Sequence, residues 1–105
     1  ITQIETPFES ENSYHVYQQS TLKMKDGSRA DMKEFLASKG VPSMVYYPLT
    51  LAQQEAFKGL AKGADTLNVS SQLSKQVLSL PMHTELTTSV QDYIIASIKE
   101  YYNGK

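Results

Sequence analysis

The chain has 105 residues, 40% of them hydrophobic, a size that suits one compact domain and lies at the lower end for a complete enzyme. Its formal charge of -1 comes from interspersed acids and bases, a pattern unlike that of a nucleic-acid or membrane-surface binder. The chain has no cysteine, which excludes disulfides, thiolate nucleophiles and cysteine metal sites and fits a reducing compartment.

The first predicted elements are a strand and a helix. Residues Ser13–Met24 are rich in tyrosine, valine and threonine and end at the turn signal Lys25–Gly27, which is typical of a strand. Ser28 is the predicted N-cap of a helix, with Asp31 three residues later and Gly40 as its end. The residues expected on its core-facing side are Met32, Phe35 and Leu36.

The middle of the chain predicts a second strand and a weak helix. Ser43–Tyr47 reads as an apolar strand, and its pairing should end at Pro48 because proline has no N–H to donate. Residues 50–60 are weakly helical, and a loop is expected around residues 62–65.

The last third of the chain predicts two helices around a short strand. Asn68 is the predicted N-cap of the first helix, and Leu78–Met82 is a short extended segment. A long amphipathic helix is expected to begin at Thr88, with Gln91 as its capping-box partner. The stripes expected to face the core are Val69, Leu73 and Val77 in the first helix and Val90, Ile94, Ile98 and Tyr101 in the second.

This order of elements predicts an α+β fold of two layers, in which helices pack on one face of a small sheet of two to three mainly antiparallel strands. The apolar runs are too short to cross a bilayer, and no signal-peptide pattern is seen, so we expect a cytoplasmic protein. Composition and periodicity therefore predict a fold class, and they indicate no activity.

Common catalytic and metal-binding motifs do not account for the sequence. His15 and His83 are its only histidines, and they lie far apart without a clustered carboxylate, so no metal site is predicted. We find no nucleophile elbow and no glycine-rich phosphate loop. Tyr46 and Tyr47 are adjacent at the end of a predicted strand, where they are open to two interpretations, a ligand contact or rim aromatics whose hydroxyls reach water.

Three segments taken together resemble one enzyme family. They are "SYHVYQQ" (Ser13–Gln19), "RADMKEFLASKGVPSMVYYPLTLAQQEAF" (Arg29–Phe57) and "LSKQVLSLPMHTELT" (Leu73–Thr87), followed by the helical "VQDYIIASIKEYY". In order and spacing they are similar to the C-terminal domain of the DegT/DnrJ/EryC1/StrS aminotransferases, which use pyridoxal phosphate to aminate keto groups of nucleotide-linked sugars.

The resemblance implies that the chain is the small C-terminal domain of a larger enzyme, and it covers residues 1–105 almost completely. The chain begins with Ile1 rather than methionine, which fits this interpretation. The lysine that forms the Schiff base and most cofactor contacts belong to the family's N-terminal domain, so no catalytic or cofactor-binding residue is expected here. The isolated chain is therefore predicted to be inactive, with one side apolar where the larger domain would rest.

The resemblance also suggests substrate-binding residues. The family commonly has Val-His-Tyr-Pro at this strand end, and Tyr46 stands where the histidine would be, beside Tyr47. A tyrosine hydroxyl can exchange one hydrogen bond with a sugar or phosphate oxygen but cannot act as an imidazole. His15 is the third candidate, with a satisfied polar role on the first strand as its alternative. His83 is expected in a structural turn or a subunit contact, and Arg29 and Lys33 on a solvated helix face.

The implied full-length enzyme is a homodimer that takes its amino group from a donor such as glutamate and makes amino sugars for surface polysaccharide or a related glycan. A dehydratase that shares the fold and cofactor also occurs in the wider family. The competing hypothesis is an independent, non-enzymatic module that binds a small ligand or peptide at the tyrosine pair. The two hypotheses differ in what precedes Ile1.

Overall fold

The computed structural model describes residues 1–60, 62–63 and 66–104. The elements of this part of the chain are, in order, β1 (Ile4–Glu5), β2 (Ser20–Met24), α1 (Arg29–Ser38), α2 (Asn68–Gln76), β3 (Val77–Leu80) and α3 (Thr88–Asn103). Two short 3₁₀ helices, Leu51–Gln53 and Glu55–Phe57, lie between α1 and α2 where a weak helix was predicted. Residues 64 and 65 of the predicted loop lie outside the described residues.

The three strands form an antiparallel sheet in the order β1-β2-β3. The central pairing places Leu22 opposite Leu78 and Thr21 opposite Ser79. Because neighbouring residues of a strand point to opposite faces, the leucines belong to one face of the sheet and the hydroxyl residues to the other.

The core lies on the leucine face, where α1 and α3 cover the sheet. Met24, Met32, Leu36 and Leu78 have completely buried side chains. The buried hydrophobic residues among those described are Leu22, Met24, Met32, Leu36, Val41, Leu78, Ile94, Ile98 and Tyr101. Phe35 packs against this set, with its ring centroid 5.4 Å from that of Tyr101. The predicted α+β fold class is therefore confirmed, as is the core-facing side of α1.

Two predicted strands are shorter than expected. The first covers Ser20–Met24 rather than Ser13–Met24, because the chain turns at Tyr17, whose φ of 47° is incompatible with a continuing strand. The second, Ser43–Tyr47, is reduced to one antiparallel bridge between Met44 and Ser79. Prolines flank this segment at positions 42 and 48, and neither can donate a ladder hydrogen bond.

The helix ends agree with the predictions to within one residue. Gly40 ends α1 with a φ of 73°, and the Val41 N–H donates to the Leu36 carbonyl at 2.9 Å, a pattern in which glycine avoids the Cβ clash of the left-handed region. Ser28 is at the N-cap of α1, but its hydroxyl donates to Asp26 instead of capping the helix. The other two predicted N-caps, Asn68 and Thr88, are the first residues of their helices instead.

The N-cap of α3 is Thr87 rather than the predicted Thr88. The Thr87 Oγ1 accepts the Val90 N–H at 3.4 Å. The Gln91 side chain donates to the Leu86 carbonyl at 3.2 Å rather than forming a capping box with Thr88. This shift leaves the buried stripe at Ile94, Ile98 and Tyr101 unchanged, while Val90 at the helix start is exposed.

The stripe predicted for α2 does not enter the core. Val69 is 72% exposed and Leu73 is 38% exposed, whereas the buried residue of α2 is Ser74. Val77 begins β3 and is half-buried. The amphipathic pattern was recognised correctly, but its apolar side faces away from this chain's own core.

Arg29 is half-buried, so its assignment to a solvated helix face is wrong. Its Nη1 donates to the Ser74 carbonyl, which joins the start of α1 to the last turn of α2. Orphan carbonyls at a helix C-terminus favour such a cation. Lys33, which was assigned to the same solvated face, is exposed.

Glu5 and Lys23 are opposed in the β1–β2 pair, and the Lys23 Nζ lies 3.0 Å from a Glu5 carboxylate oxygen. The hydrogen bond from Lys23, its charge and that of Lys25 lower the pKa of Glu5 below its ordinary value. Because the folded pKa lies below the unfolded one, the pair stabilises the fold above the unfolded pKa, and this contribution is lost as the pH falls through the folded pKa.

We therefore expect an NMR titration of the Glu5 carboxyl to give a midpoint below the ordinary glutamate value. Lys23→Gln should raise that midpoint, because it removes the hydrogen bond and the nearer charge. Lys33→Gln, on the exposed side of α1, is the control and should leave it unchanged. An ordinary midpoint in the unaltered chain would contradict the pairing.

Candidate functional site

The second face of the sheet carries polar groups and is left open by the core helices. The Thr21 and Ser79 hydroxyl oxygens are 2.8 Å apart on this face, and Lys23 and Val77 are the next opposed pair. Three open clefts of the described chain adjoin this face and its end.

The His15 cleft, with a volume of about 1090 Å³, lies between the segment 5–19 and the sheet face that carries Thr21 and Lys23. His15 is half-buried in its wall. The Nδ1 atom of His15 accepts the Tyr17 N–H at 2.9 Å, and the His15 N–H donates to Glu9 Oε1 at 3.1 Å. Acceptance at Nδ1 leaves Nε2 to carry the proton of the neutral imidazole, so Nε2 is the atom that could donate to a ligand.

The tyrosine cleft, of about 640 Å³, lies between α2 and the segment 46–54. Tyr46 and Tyr47 line it with ring centroids 5.8 Å apart and planes at 63°, and the peptide bond between them is cis. Tyr46 is 40% exposed and Tyr47 is 71% exposed. The cleft shares Leu73 and Val77 with the His15 cleft, so the two are neighbours across the open face.

The sheet-end cleft, of about 290 Å³, was not anticipated from the sequence. It shares Tyr46 with the tyrosine cleft, and it shares Gln18 and Gln19 with the His15 cleft. Ser43 also lines it, and its buried Oγ lacks a hydrogen-bond partner among the described residues. The two glutamines are thus the missed candidates, and their only signal was a pair of carboxamides just before a strand.

The three predicted substrate-binding residues therefore do not line one common cleft. Tyr46 and Tyr47 are in direct ring contact on one cleft, whereas His15 lines a neighbouring cleft reached past Gln18 and Gln19. His83 is exposed, and its carbonyl accepts the Leu86 N–H at 3.2 Å, as in a structural turn.

The wall of the tyrosine cleft and the exposed side of α2 together form an apolar surface. This surface, called here the α2 face, consists of Tyr47, Leu49, Leu51, Leu67 and Leu73, which line the cleft, and of Val69 on α2, all of them exposed. Solvent-exposed apolar residues are common singly, but a contiguous group next to a cleft is typical of an interaction surface. The apolar side expected from the sequence is therefore present.

Two kinds of site are not seen in the described part of the chain. No group of three or more potential metal-ligating side chains occurs there. Among the same residues, no helix has the length and hydrophobicity needed to span a bilayer.

Comparison with known proteins assigns the chain to a family. The model of the DegT/DnrJ/EryC1/StrS aminotransferase family matches residues 1–99. The chain belongs to this family. A pleiotropic regulatory protein of Geobacillus stearothermophilus is 37% identical over 97 residues, which are 92% of this chain and 26% of that protein. The UDP-2-acetamido-2-deoxy-3-oxo-D-glucuronate aminotransferase of Pseudomonas aeruginosa is 37% identical over 95 residues, which are 90% of this chain and 25% of the enzyme.

The fold agrees with the family as well. A crystal structure of a DegT/DnrJ/EryC1/StrS aminotransferase from Brucella abortus superposes with a TM-score of 0.85 at 30% identity, over 95% of this chain and 26% of the other. The chain thus spans about a quarter of the length of the family members that it matches.

The α2 face predicts that this chain associates with itself in isolation, because exposed apolar surface is removed from water by pairing. We expect sedimentation velocity to show dimers or larger species as concentration rises. Val69→Glu or Leu51→Glu should weaken that association by about tenfold or more, since a carboxylate would lose its hydration at the contact. Val90→Glu, at an exposed position of α3, is the matched control and should change little. A monomer at all concentrations would contradict an adhesive α2 face.

Proposed function

We propose that residues 1–105 are the C-terminal small domain of a cytoplasmic, pyridoxal-phosphate-dependent aminotransferase. The enzyme would aminate a keto group of a nucleotide-linked sugar, a step towards amino sugars for surface polysaccharide or a related glycan. The observation that carries the proposal is the family match over residues 1–99 in a chain that spans a quarter of its relatives. Relatives named as sugar aminotransferases support the substrate class.

The residues present do not suit a pyridoxal phosphate site. Such a site needs a lysine for the cofactor aldehyde and a group of donors for its phosphate. In the part of the chain that the structure describes, Lys23 is the one lysine that lines any of the three clefts, and it is paired with Glu5 at 3.0 Å. We therefore assign the cofactor to the N-terminal domain, and no step of the chemistry is assigned to a residue of this chain.

The role proposed for this chain is to form the sugar-binding side of the active site. Tyr46 and Tyr47 present two hydroxyls on an open cleft, and His15 can present its Nε2 proton on the adjoining one. Hydrogen bonds from such positions would orient the sugar and hold its keto carbon towards the cofactor. The part of the α2 face around Val69 would rest on the N-terminal domain, which would narrow the tyrosine cleft and leave it open to the sugar.

The full-length enzyme is proposed to be a homodimer that uses glutamate as its amino donor. Its first half-reaction can be followed without knowing the sugar, since amination of the bound cofactor changes its near-ultraviolet and visible absorbance. We expect the holoenzyme to show this change with glutamate, and the isolated 105-residue chain to show neither the chromophore nor turnover. A full-length protein that lacks the chromophore after cofactor is supplied would overturn the proposal in favour of a binding module.

Tyr46→Phe tests the proposed substrate contact in the holoenzyme. Loss of one hydroxyl hydrogen bond should raise KM for the keto-sugar nucleotide by roughly twofold to tenfold. The half-reaction with glutamate should be unchanged, because that donor does not carry the sugar. Tyr93→Phe is the matched control. Tyr93 is in α3 and lines none of the three clefts, and its hydroxyl donates to the Lys39 carbonyl at 2.9 Å. An unchanged KM in Tyr46→Phe would show that Tyr46 is only a rim aromatic.

A further inference from the structure

No described residue that lines the tyrosine cleft or the sheet-end cleft carries a charged side chain. Their described polar side chains are carboxamides and hydroxyls, those of Gln18, Gln19, Gln54, Ser43, Tyr46, Tyr47, Thr50, Ser70, Ser74 and Ser79. The remaining lining is apolar, with Leu73 and Val77 on one side and Met44 and Met82 on the other. The side chains around Tyr46 can thus exchange neutral hydrogen bonds with a ligand.

The charges of the adjoining His15 cleft are acidic or already paired. Among its described lining residues, Glu5 and Glu9 supply two carboxylates and Lys23 supplies the one ammonium. The Lys23 Nζ lies 3.0 Å from a Glu5 carboxylate oxygen, and Glu9 Oε1 accepts the backbone N–H of His15 at 3.1 Å. A negatively charged ligand group on this face would therefore meet carboxylates nearby and an ammonium that has a partner.

Neutral and acidic sugars need different hydrogen-bonding and charged partners in a binding site. Hydroxyl and acetamido groups both donate and accept, so carboxamides and hydroxyls satisfy them well. A uronic acid carries a carboxylate, whose removal from water is costly unless a cation or several N–H donors replace the hydration. The lining therefore distinguishes a neutral sugar from an acidic one by the group at a single carbon.

We propose that this chain lines a site for an uncharged keto-sugar and discriminates against a uronic acid, with Gln18, Gln19 and Tyr46 making the neutral contacts. The inference rests on the proposed function and narrows its substrate class. It sets this protein apart from the Pseudomonas aeruginosa enzyme, whose name specifies a glucuronate, despite 37% identity.

The test compares sugar nucleotides that differ only at C6. UDP-N-acetylglucosamine and UDP-N-acetylglucosaminuronic acid form one pair, and dTDP-glucose and dTDP-glucuronic acid form the other. Dissociation constants for the holoenzyme are measured by calorimetry. We expect the neutral member of the pair that binds to bind at least about tenfold more tightly than the acidic member.

Gln19→Arg is the decisive variant. Gln19 lines both the His15 cleft and the sheet-end cleft, so the substitution places a cation in the wall that the two share. It should reduce or reverse the preference for the neutral sugar by about tenfold, because a guanidinium pairs with a carboxylate. Ala37→Arg adds the same charge at an exposed position of α1 that lines none of these clefts, and it should leave the ratio unchanged.

The outcomes separate the two proposals. A holoenzyme that reacts with glutamate but binds the acidic sugar as tightly as the neutral one would overturn this inference and leave the proposed function standing. An unchanged ratio in Gln19→Arg would likewise show that these clefts do not meet the C6 group. A protein that neither reacts with glutamate nor binds any of the four nucleotides would overturn the proposed function and this inference together.

Discussion

The register of the β2–β3 pair is the constraint on which the rest of the structure depends. With Leu22 opposite Leu78, the apolar residues of both strands face α1 and α3, and Thr21 and Ser79 meet on the other side. A slip of one residue would exchange the two faces, turning the leucines away from α1 and α3 and the hydroxyls towards them. The burial of the core therefore also fixes where the polar face and its clefts lie.

The same register positions the tyrosine pair. Ser79 pairs with Thr21 across one side of β3 and with Met44 across the other, through backbone hydrogen bonds of 2.9 and 2.7 Å. Tyr46 lies two residues beyond this bridge and therefore at the end of the sheet. A single bridged residue, rather than a full strand, is enough to bring a segment distant in sequence to the edge of the polar face.

The position of α2 leaves an apolar surface exposed, in addition to the apolar sheet face that α1 and α3 cover. The helix leads directly into β3, and Arg29 binds the Ser74 carbonyl near its end. These attachments turn Ser74 inward and leave Val69 and Leu73 outward. The chain spans about a quarter of the relatives that it matches, and we propose that this outward side contacts the rest of such a protein.

Sequence alone determined the elements whose signals are local. The 3.6-residue stripe of α3, the stop at Gly40 and the end of β2 at the turn Lys25–Gly27 follow from backbone sterics, turn residues and side-chain period, and the motifs indicated the family. Tertiary structure decided what depends on distant residues: that the α2 stripe faces outward, that Ser13–Gln19 is a loop, and that Gln18 and Gln19 join the cleft of Tyr46 to that of His15. An amphipathic pattern states that a helix has an apolar side, but the surface that this side meets is set by the packing of the other elements.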